Sequence, residues 1–339
     1  MRRLKRIFAS AIIATALVAA GCGSDDGKAS EGSGSKDKVT YLTGFGTFGR
    51  EAYGWVAKDK GFFAEAGLDV TVKPGSGTGD NLKQIASGQA QFAPVDFTGA
   101  LLQFGGGKAK DFTAVAAIHQ RTLTAIISLE GNNISSPKDL EGKTVADAPG
   151  SVVQMLFPTY AKLAGVDATK VKWVSAPPPQ LPATLAAGTV QAIGQFVVGK
   201  PTIEAAAKPK KAVVLPYSDH LGDLYGNSLV TASKLAQDNP DLVKRFTTAL
   251  LKGLQYAIDN PKEAAEILVK NQPTQKVEPA TKELELMSAY VRSSGSGAAV
   301  GALDSQRVAR CIALLQGAGA IPAGMTPEQV VNFDLVPKV

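Results

Sequence analysis

The chain has 339 residues, 45% hydrophobic and 19% charged. At about 100–200 residues per domain this is globular composition for more than one compact core, and it excludes a wholly disordered chain or a coiled coil. The formal charge is +6, but Arg2, Arg3, Lys5 and Arg6 crowd the extreme N-terminus, so charge makes no case for a nucleic-acid partner.

Residues 1–21 read as an export leader, with a basic start followed by an apolar run from Ile7 to Gly21. That run is shorter than the roughly 20 residues of a spanning helix. It closes as Leu17-Val18-Ala19-Ala20-Gly21-Cys22, which resembles the lipobox of bacterial lipoproteins. The resemblance implies lipid on Cys22 and an anchored protein on the outer face of the cytoplasmic membrane. Residues 22–38 are polar and glycine-rich and predict a flexible tether. With Cys22 assigned to lipid and one other cysteine, Cys311, the chain has no disulfide framework. Cys311 lies in the apolar stretch Val308–Leu315 and is expected to pack as a small buried hydrophobe.

From Val39 the pattern alternates β-rich runs with helical periods. Strands are predicted over Val39–Leu42, Leu68–Val72, Phe92–Val95, Phe112–Ile118 and Leu123–Leu129, with helices over Glu51–Ala66, Asn81–Gly88 and Thr98–Phe104. The scheme restarts with helix Ser136–Leu140, strand Thr144–Ala146, helix Val152–Ala164, strand Val171–Val174, helix Leu181–Gly188 and strand Ala192–Phe196. This is α/β architecture with a largely parallel sheet in each of two similar lobes. An offset of 100 residues sets Ile85–Gln91 against Leu185–Gln191, a helix, glycine stop and strand start in both copies, or a local likeness of common turn chemistry. The last third is mostly helical: Leu242–Asn260, Lys262–Lys270, Glu278–Val291 and Gln306–Gly317, with Pro240 and Pro261 at first-turn positions.

No motif marks catalysis. His119 and His220 are the two histidines, HExxH and CxxC are missing, and neither glycine-rich stretch, Gly44–Gly49 or Gly75–Gly79, contains the phosphate-loop GKS/T, so no metal and no cofactor are expected. The glycine-rich stretches Gly44–Gly49 and Gly75–Gly79 each follow a strand and precede a helix, where parallel sheets place ligand loops. Freed backbone N–H groups and a helix N-terminus there suit an anion or a polar head group. The third such loop carries Asp96-Phe97-Thr98, and the second lobe offers Asp147–Ser151. Each residue also has a plain reading: the glycines as turns, Asp96 and Ser151 as helix caps, Phe48 and Tyr53 as core. Phe45, Phe48, Phe97 and Phe196 sit where a flat ring would gain stacking, and Arg50 beside them would pair with an anionic group or cover the surface.

Three segments carry a family resemblance: Lys60-Gly61-Phe62-Phe63-Ala64-Glu65-Ala66-Gly67-Leu68-Asp69-Val70, Ser136-Pro137-Lys138-Asp139-Leu140-Glu141-Gly142-Lys143 and Asn239-Pro240-Asp241-Leu242-Val243-Lys244-Arg245-Phe246. The mature chain resembles the lipid-anchored solute-binding proteins of ABC importers, in the branch holding sulfonate, taurine, nitrate and thiamine-pyrimidine-precursor receptors. The resemblance implies a two-lobed, type II periplasmic-binding-protein-like fold with the ligand cleft between lobes. Lobe 1 is expected over 39–122 plus 227–339 and lobe 2 over 123–226, with crossings near Arg121–Thr124 and Tyr225–Ser228.

Partners implied are a small-molecule ligand, an ABC permease with its ATPase, and the membrane through Cys22, with the receptor acting as a monomer. Phe45-Gly46-Thr47-Phe48-Gly49-Arg50 and Asp96 are most similar to the thiamine-precursor receptors, which stack a pyrimidine and hold its nitrogens with a carboxylate. Ligand-binding residues expected from the first lobe are Phe45, Thr47, Phe48, Arg50, Gly77, Thr78, Asp96, Phe97 and His119. From the second they are Gly150, Ser151, Gln195 and Phe196. A sulfonate or nitrate ligand would rest instead on Gly77, Thr78 and Ser151. Gln91 and Gln191 depart from the aspartate usual at their positions, a change expected to affect turn chemistry. Pyrimidine-synthesising enzymes of fungi share this fold and use an active-site histidine and an iron site near a cysteine cluster. Lacking such a cluster, the chain is expected to bind rather than catalyse.

Overall fold

Among the described residues ten strands form two sheets of five, and two more form a separate short ribbon. The computed structural model describes residues 36–222, 224–292 and 300–337. The expected leader over 1–21, the lipid site Cys22 and the tether as far as residue 35 lie outside the described residues.

In chain order the strands are β1 (Asp37–Leu42), β2 (Phe45–Gly46), β3 (Leu68–Lys73), β4 (Gly75–Ser76), β5 (Phe92–Asp96) and β6 (Thr113–Ala117). There follow β7 (Thr124–Leu129), β8 (Thr144–Asp147), β9 (Lys172–Ser175), β10 (Ala192–Phe196), β11 (Ala212–Pro216) and β12 (Asn227–Thr231). The first sheet has the order β3-β1-β5-β12-β6 and the second β11-β7-β10-β8-β9, with β2 and β4 forming the ribbon. β1 pairs with β3 from Asp37 opposite Leu68, so the strand starts two residues inside the stretch expected to be tether.

The sheets are mixed rather than largely parallel. β12 runs antiparallel to β5 and β6, and β7 runs antiparallel to β10 and β11. Each of these strands carries the chain across from the other sheet. It therefore starts at the end where its neighbours stop: Asn227 lies opposite Asp96, and Thr124 opposite Phe196. Periodicity within a strand holds no record of that direction.

The expected single helix over Glu51–Ala66 is three pieces: a 3-10 turn over Gly49–Glu51 and helices Tyr53–Asp59 and Phe62–Glu65. Gly61 breaks the last two apart at φ 79°, a conformation that glycine takes without Cβ strain. Strand β11 and helix Lys200–Ala207, unassigned from sequence, complete the second lobe. Helix Pro240–Asp259 begins where Pro240 and the Asn239 cap place it, Asn239 accepting the Leu242 N–H at 3.1 Å. It buries Val243, Phe246, Leu250, Leu254 and Ala257 along one face. Phe246 stacks on Phe92 with ring centroids 3.9 Å apart and on Phe63 at 5.2 Å. In the second lobe the matching aromatic stack is Tyr160 on Tyr217 at 4.0 Å. Cys311 is buried, as its apolar surroundings predict. No helix among the described residues is long and apolar enough to cross a membrane.

Candidate ligand site between the lobes

Strand ends of the first sheet are tied into one rigid corner by Asn81, on the first turns of helix Thr78–Ala86. Its Nδ2 donates to the carbonyls of Thr43 at 2.9 Å and Pro94 at 3.2 Å, so the ends of β1 and β5 are held together. The Thr43 hydroxyl accepts the Gly75 N–H at 2.9 Å and seats the ribbon. A Cβ on Gly75 would lie 2.0 Å from the Thr43 carbonyl oxygen, so backbone occupies the place of any side chain. Gly77, at φ 105°, turns the chain from ribbon into helix.

These constraints aim Phe45, Gly77, Thr78 and Asp96 at the second lobe, where Ser151, Val152 and Phe196 face them. With Gly44 and Asn227 they enclose a cavity of about 10 Å³. The lobes are thus closed on one another, and the space holds at most a single water. Phe45 and Phe196, one from each lobe, meet edge to face at 5.7 Å across it.

Asp96 caps a helix from its place in the cavity wall. One carboxylate oxygen caps helix Phe97–Gly105 by accepting the Gly99 N–H at 3.0 Å, and the other accepts from the Thr124 hydroxyl at 3.4 Å. Burial pushes its carboxyl up to about 6 against those hydrogen bonds. Ser151 likewise caps helix Val152–Ala164 by accepting the Val153 N–H at 3.2 Å. The Gly79 N–H donates to the Gly150 carbonyl at 3.1 Å, which sews the rims of the lobes together.

Six of the expected residues, Phe45, Gly77, Thr78, Asp96, Ser151 and Phe196, share the cavity wall. The others do not. Thr47 accepts from Gln275 at 3.3 Å, Phe97 packs edge-on against Tyr225 at 5.9 Å, and Gly150 is on the rim. Phe48, Arg50 and Gln195 form a neighbouring buried group: the Arg50 guanidinium lies 4.5 Å from the Phe48 ring and donates to Gln195 at 2.8 Å. His119 sits at the passage between sheets with both ring nitrogens buried and unpartnered. Burial, with the Arg50 charge adding to it, pushes its pKa down to about 3, so the ring is neutral.

Sequence reasoning missed Asn227 and Glu283. Asn227 opens β12, a strand whose short apolar pattern was not assigned, and its antiparallel register sets it beside Asp96. Glu283 meets Arg50 across 233 residues of sequence, with no local signal of the pairing. Among the described residues no group of three or more His, Cys, Asp or Glu is placed to hold a metal ion.

Residues 52–264, more than half of the chain, match the family described as "NMT1/THI5 like". A formylaminopyrimidine-binding protein of Halalkalibacterium halodurans is 24% identical over 221 residues, covering 64% of this chain and 66% of that protein. The riboflavin-binding protein RibY of Chloroflexus aurantiacus is 24% identical over 84% of this chain and 81% of its own length. A 4-amino-5-hydroxymethyl-2-methylpyrimidine phosphate synthase of Legionella pneumophila is 24% identical over 71% of this chain and 76% of its own. Synthases of that name from Aspergillus parasiticus and Candida albicans also match. The expectation of a non-enzyme is corrected by them: the relatives divide between binding proteins and synthases, so kinship does not separate binding from catalysis. The fold is that of the periplasmic aliphatic sulphonate binding protein SsuA of Escherichia coli, with TM-score 0.65 at 15% identity over 89% of this chain and 99% of that one. The periplasmic nitrate-binding protein NrtA of Synechocystis aligns with TM-score 0.65 at 16% identity, over 88% of this chain and 87% of that one. This two-lobed α/β chain belongs to the NMT1/THI5-like family.

Proposed function

We propose that the chain is an extracytoplasmic receptor of an ABC importer that captures a flat, nitrogen-bearing heterocycle, an aminopyrimidine of the thiamine-precursor kind, by closure of its lobes. The carrying observation is the convergence of one phenyl ring from each lobe and the Asp96 carboxyl on a single cavity. Rings provide stacking faces, and a buried carboxylate accepts the N–H donors of an aminopyrimidine. The two binding-protein relatives support this reading, because formylaminopyrimidine and riboflavin are both flat nitrogen heterocycles.

The cavity is smaller than any such ligand, so capture requires the lobes to part and close again, a shift between two states stabilised by contacts from both sides. Lobe 1, residues 39–122 plus 227–339, turns against lobe 2, residues 123–226, about the passages near 121–124 and 225–228. Lipid on Cys22 holds the receptor, a monomer, at the outer face of the cytoplasmic membrane, and the closed form meets the permease. A second reading, an alkanesulfonate, taurine or nitrate ligand, draws on the Thr78 and Ser151 hydroxyls in the same wall.

The test is a thermal-shift and calorimetric panel on the full chain with formylaminopyrimidine, hydroxymethyl aminopyrimidine, riboflavin, taurine, an alkanesulfonate and nitrate. A rise with an aminopyrimidine that falls at least tenfold in affinity in Asp96→Asn supports the reading, since asparagine keeps the helix cap and loses the carboxylate. A rise only with a sulfonate or nitrate transfers the site to Thr78 and Ser151. Mass spectrometry of the same samples separates capture from conversion of the bound pyrimidine.

A further inference from the structure

Beside the cavity, four side chains from three stretches of the chain form one group around a buried ion pair. Arg50, in the turn Gly49–Glu51, is 1% exposed, and Glu283, on helix Val277–Val291, is fully buried. One Glu283 oxygen accepts from the Arg50 backbone N–H at 3.2 Å and from its guanidinium at 3.4 Å. The other Glu283 oxygen accepts from the Thr202 hydroxyl on helix Lys200–Ala207 of the second sheet's lobe. The far side of the guanidinium donates to Gln195 at 2.8 Å, and Gln195 is itself held at the end of β10 by accepting the Phe196 N–H at 3.0 Å. Phe48 at 4.5 Å and Phe196 at 5.0 Å cover the flat cation.

Two glycines make the room for this. A Cβ on Gly49 would lie 2.5 Å from the Ala280 Cα, so only glycine lets helix Val277–Val291 come close enough for Glu283 to reach the Arg50 backbone. A Cβ on Gly199 would stand 3.0 Å from the Gln195 Cγ and 3.4 Å from the Arg50 guanidinium.

We infer that Arg50, Gln195, Glu283 and Thr202 are a clasp that holds the lobes closed on their own account, whether or not a ligand is bound. The chemistry divides cleanly when the lobes part. Arg50, Glu51 and Glu283 stay together, so no buried charge is stripped of its counter-ion, and within this group opening breaks the bonds to Gln195 and Thr202. Both are hydrogen bonds to charged groups, the stronger class, and removing each shifts the closed-to-open ratio roughly tenfold.

Small-angle X-ray scattering of the ligand-free full chain tests this. The wild type is expected to scatter as the closed form, and Gln195→Ala with Thr202→Ala to show a larger radius of gyration while circular dichroism stays native. Both substitutions leave the Arg50–Glu283 pair intact. Thr202→Val, of the same shape without the hydroxyl, is expected to open partway, and Thr202→Ser to stay closed. A ligand-free wild type that is already open, or variants as closed as the wild type, overturns the clasp. No ligand enters the measurement, so failure of the pyrimidine reading leaves the result standing, and the reverse holds too.

Discussion

The two lobes share a wiring plan and differ in what they place at its active edge. Their sheets match strand for strand, β3-β1-β5-β12-β6 against β9-β8-β10-β7-β11, with one returning antiparallel strand at the same place in each. The match reaches single hydrogen bonds. Gln91 accepts the Thr40 N–H at 2.8 Å, and Gln191 accepts the Thr144 N–H at 3.0 Å, each after a glycine at φ 72° that ends a helix. Thr231 donates to the Gln91 carbonyl and Ser128 to the Gln191 carbonyl. At the strand ends the likeness stops. The first lobe has the ribbon and the Arg50, Glu51 and Glu283 charges, whereas the second has a short turn from Asp147 into a helix N-terminus. Backbone geometry is reused because it satisfies the sheet; side chains at the edge are free to specialise.

Loss of the first lobe's aromatic stack breaks the comparison most severely. Phe246→Ala removes a fully buried ring stacked on Phe92 and Phe63, and is expected to cost about 3–5 kcal/mol in denaturant melts. Gly75→Ala tests the element that the second lobe lacks. Its Cβ would strike the Thr43 carbonyl, so a loss of roughly 1–3 kcal/mol is expected, together with weaker ligand binding as Phe45 shifts. An unchanged melting point would mean that the ribbon yields without disturbing the site.

Charge sharpens the contrast. Burial pushes Glu51 up to about 7 although Arg50 pulls it down, and burial pushes Asp147 up to about 7 with only hydrogen bonds from Ser151 and the backbone in opposition. A carboxyl raised in the folded state keeps a proton that the unfolded chain has released. Its contribution to stability is complete below about pH 4 and is lost as pH rises to about 7. Asp147→Asn is therefore expected to lose less melting temperature than the wild type between pH 5 and pH 8. His119, pushed down to about 3, acts in the opposite sense and lowers stability as acid charges the unfolded chain. The smallest effect is the matched pair: Gln91→Ala and Gln191→Ala are each expected to cost about 1 kcal/mol, and markedly unequal costs would show the repeat to be geometric without being energetic.

Fold class and the chain's alternating elements were legible because hydrophobic period and glycine stops are local. Gln91 and Gln191 were expected to affect turn chemistry; in the structure each side chain also accepts a backbone N–H of the neighbouring strand. Six residues of the cavity wall lie at strand ends or helix starts that local pattern marks, three of them in the glycine-rich stretches. Asn227 and Glu283 were not, since one depends on the direction of a returning strand and the other on a helix far along the chain. Sequence by itself determined the α/β alternation, the family resemblance and the loops that gather at the strand ends. Tertiary structure alone decided which side chains face the cavity, that Arg50 turns to Gln195 and Glu283 instead of the cavity wall, and that the lobes meet over a space of about 10 Å³. Local pattern sets period and turn, whereas contacts between distant segments depend on packing that no stretch of sequence contains.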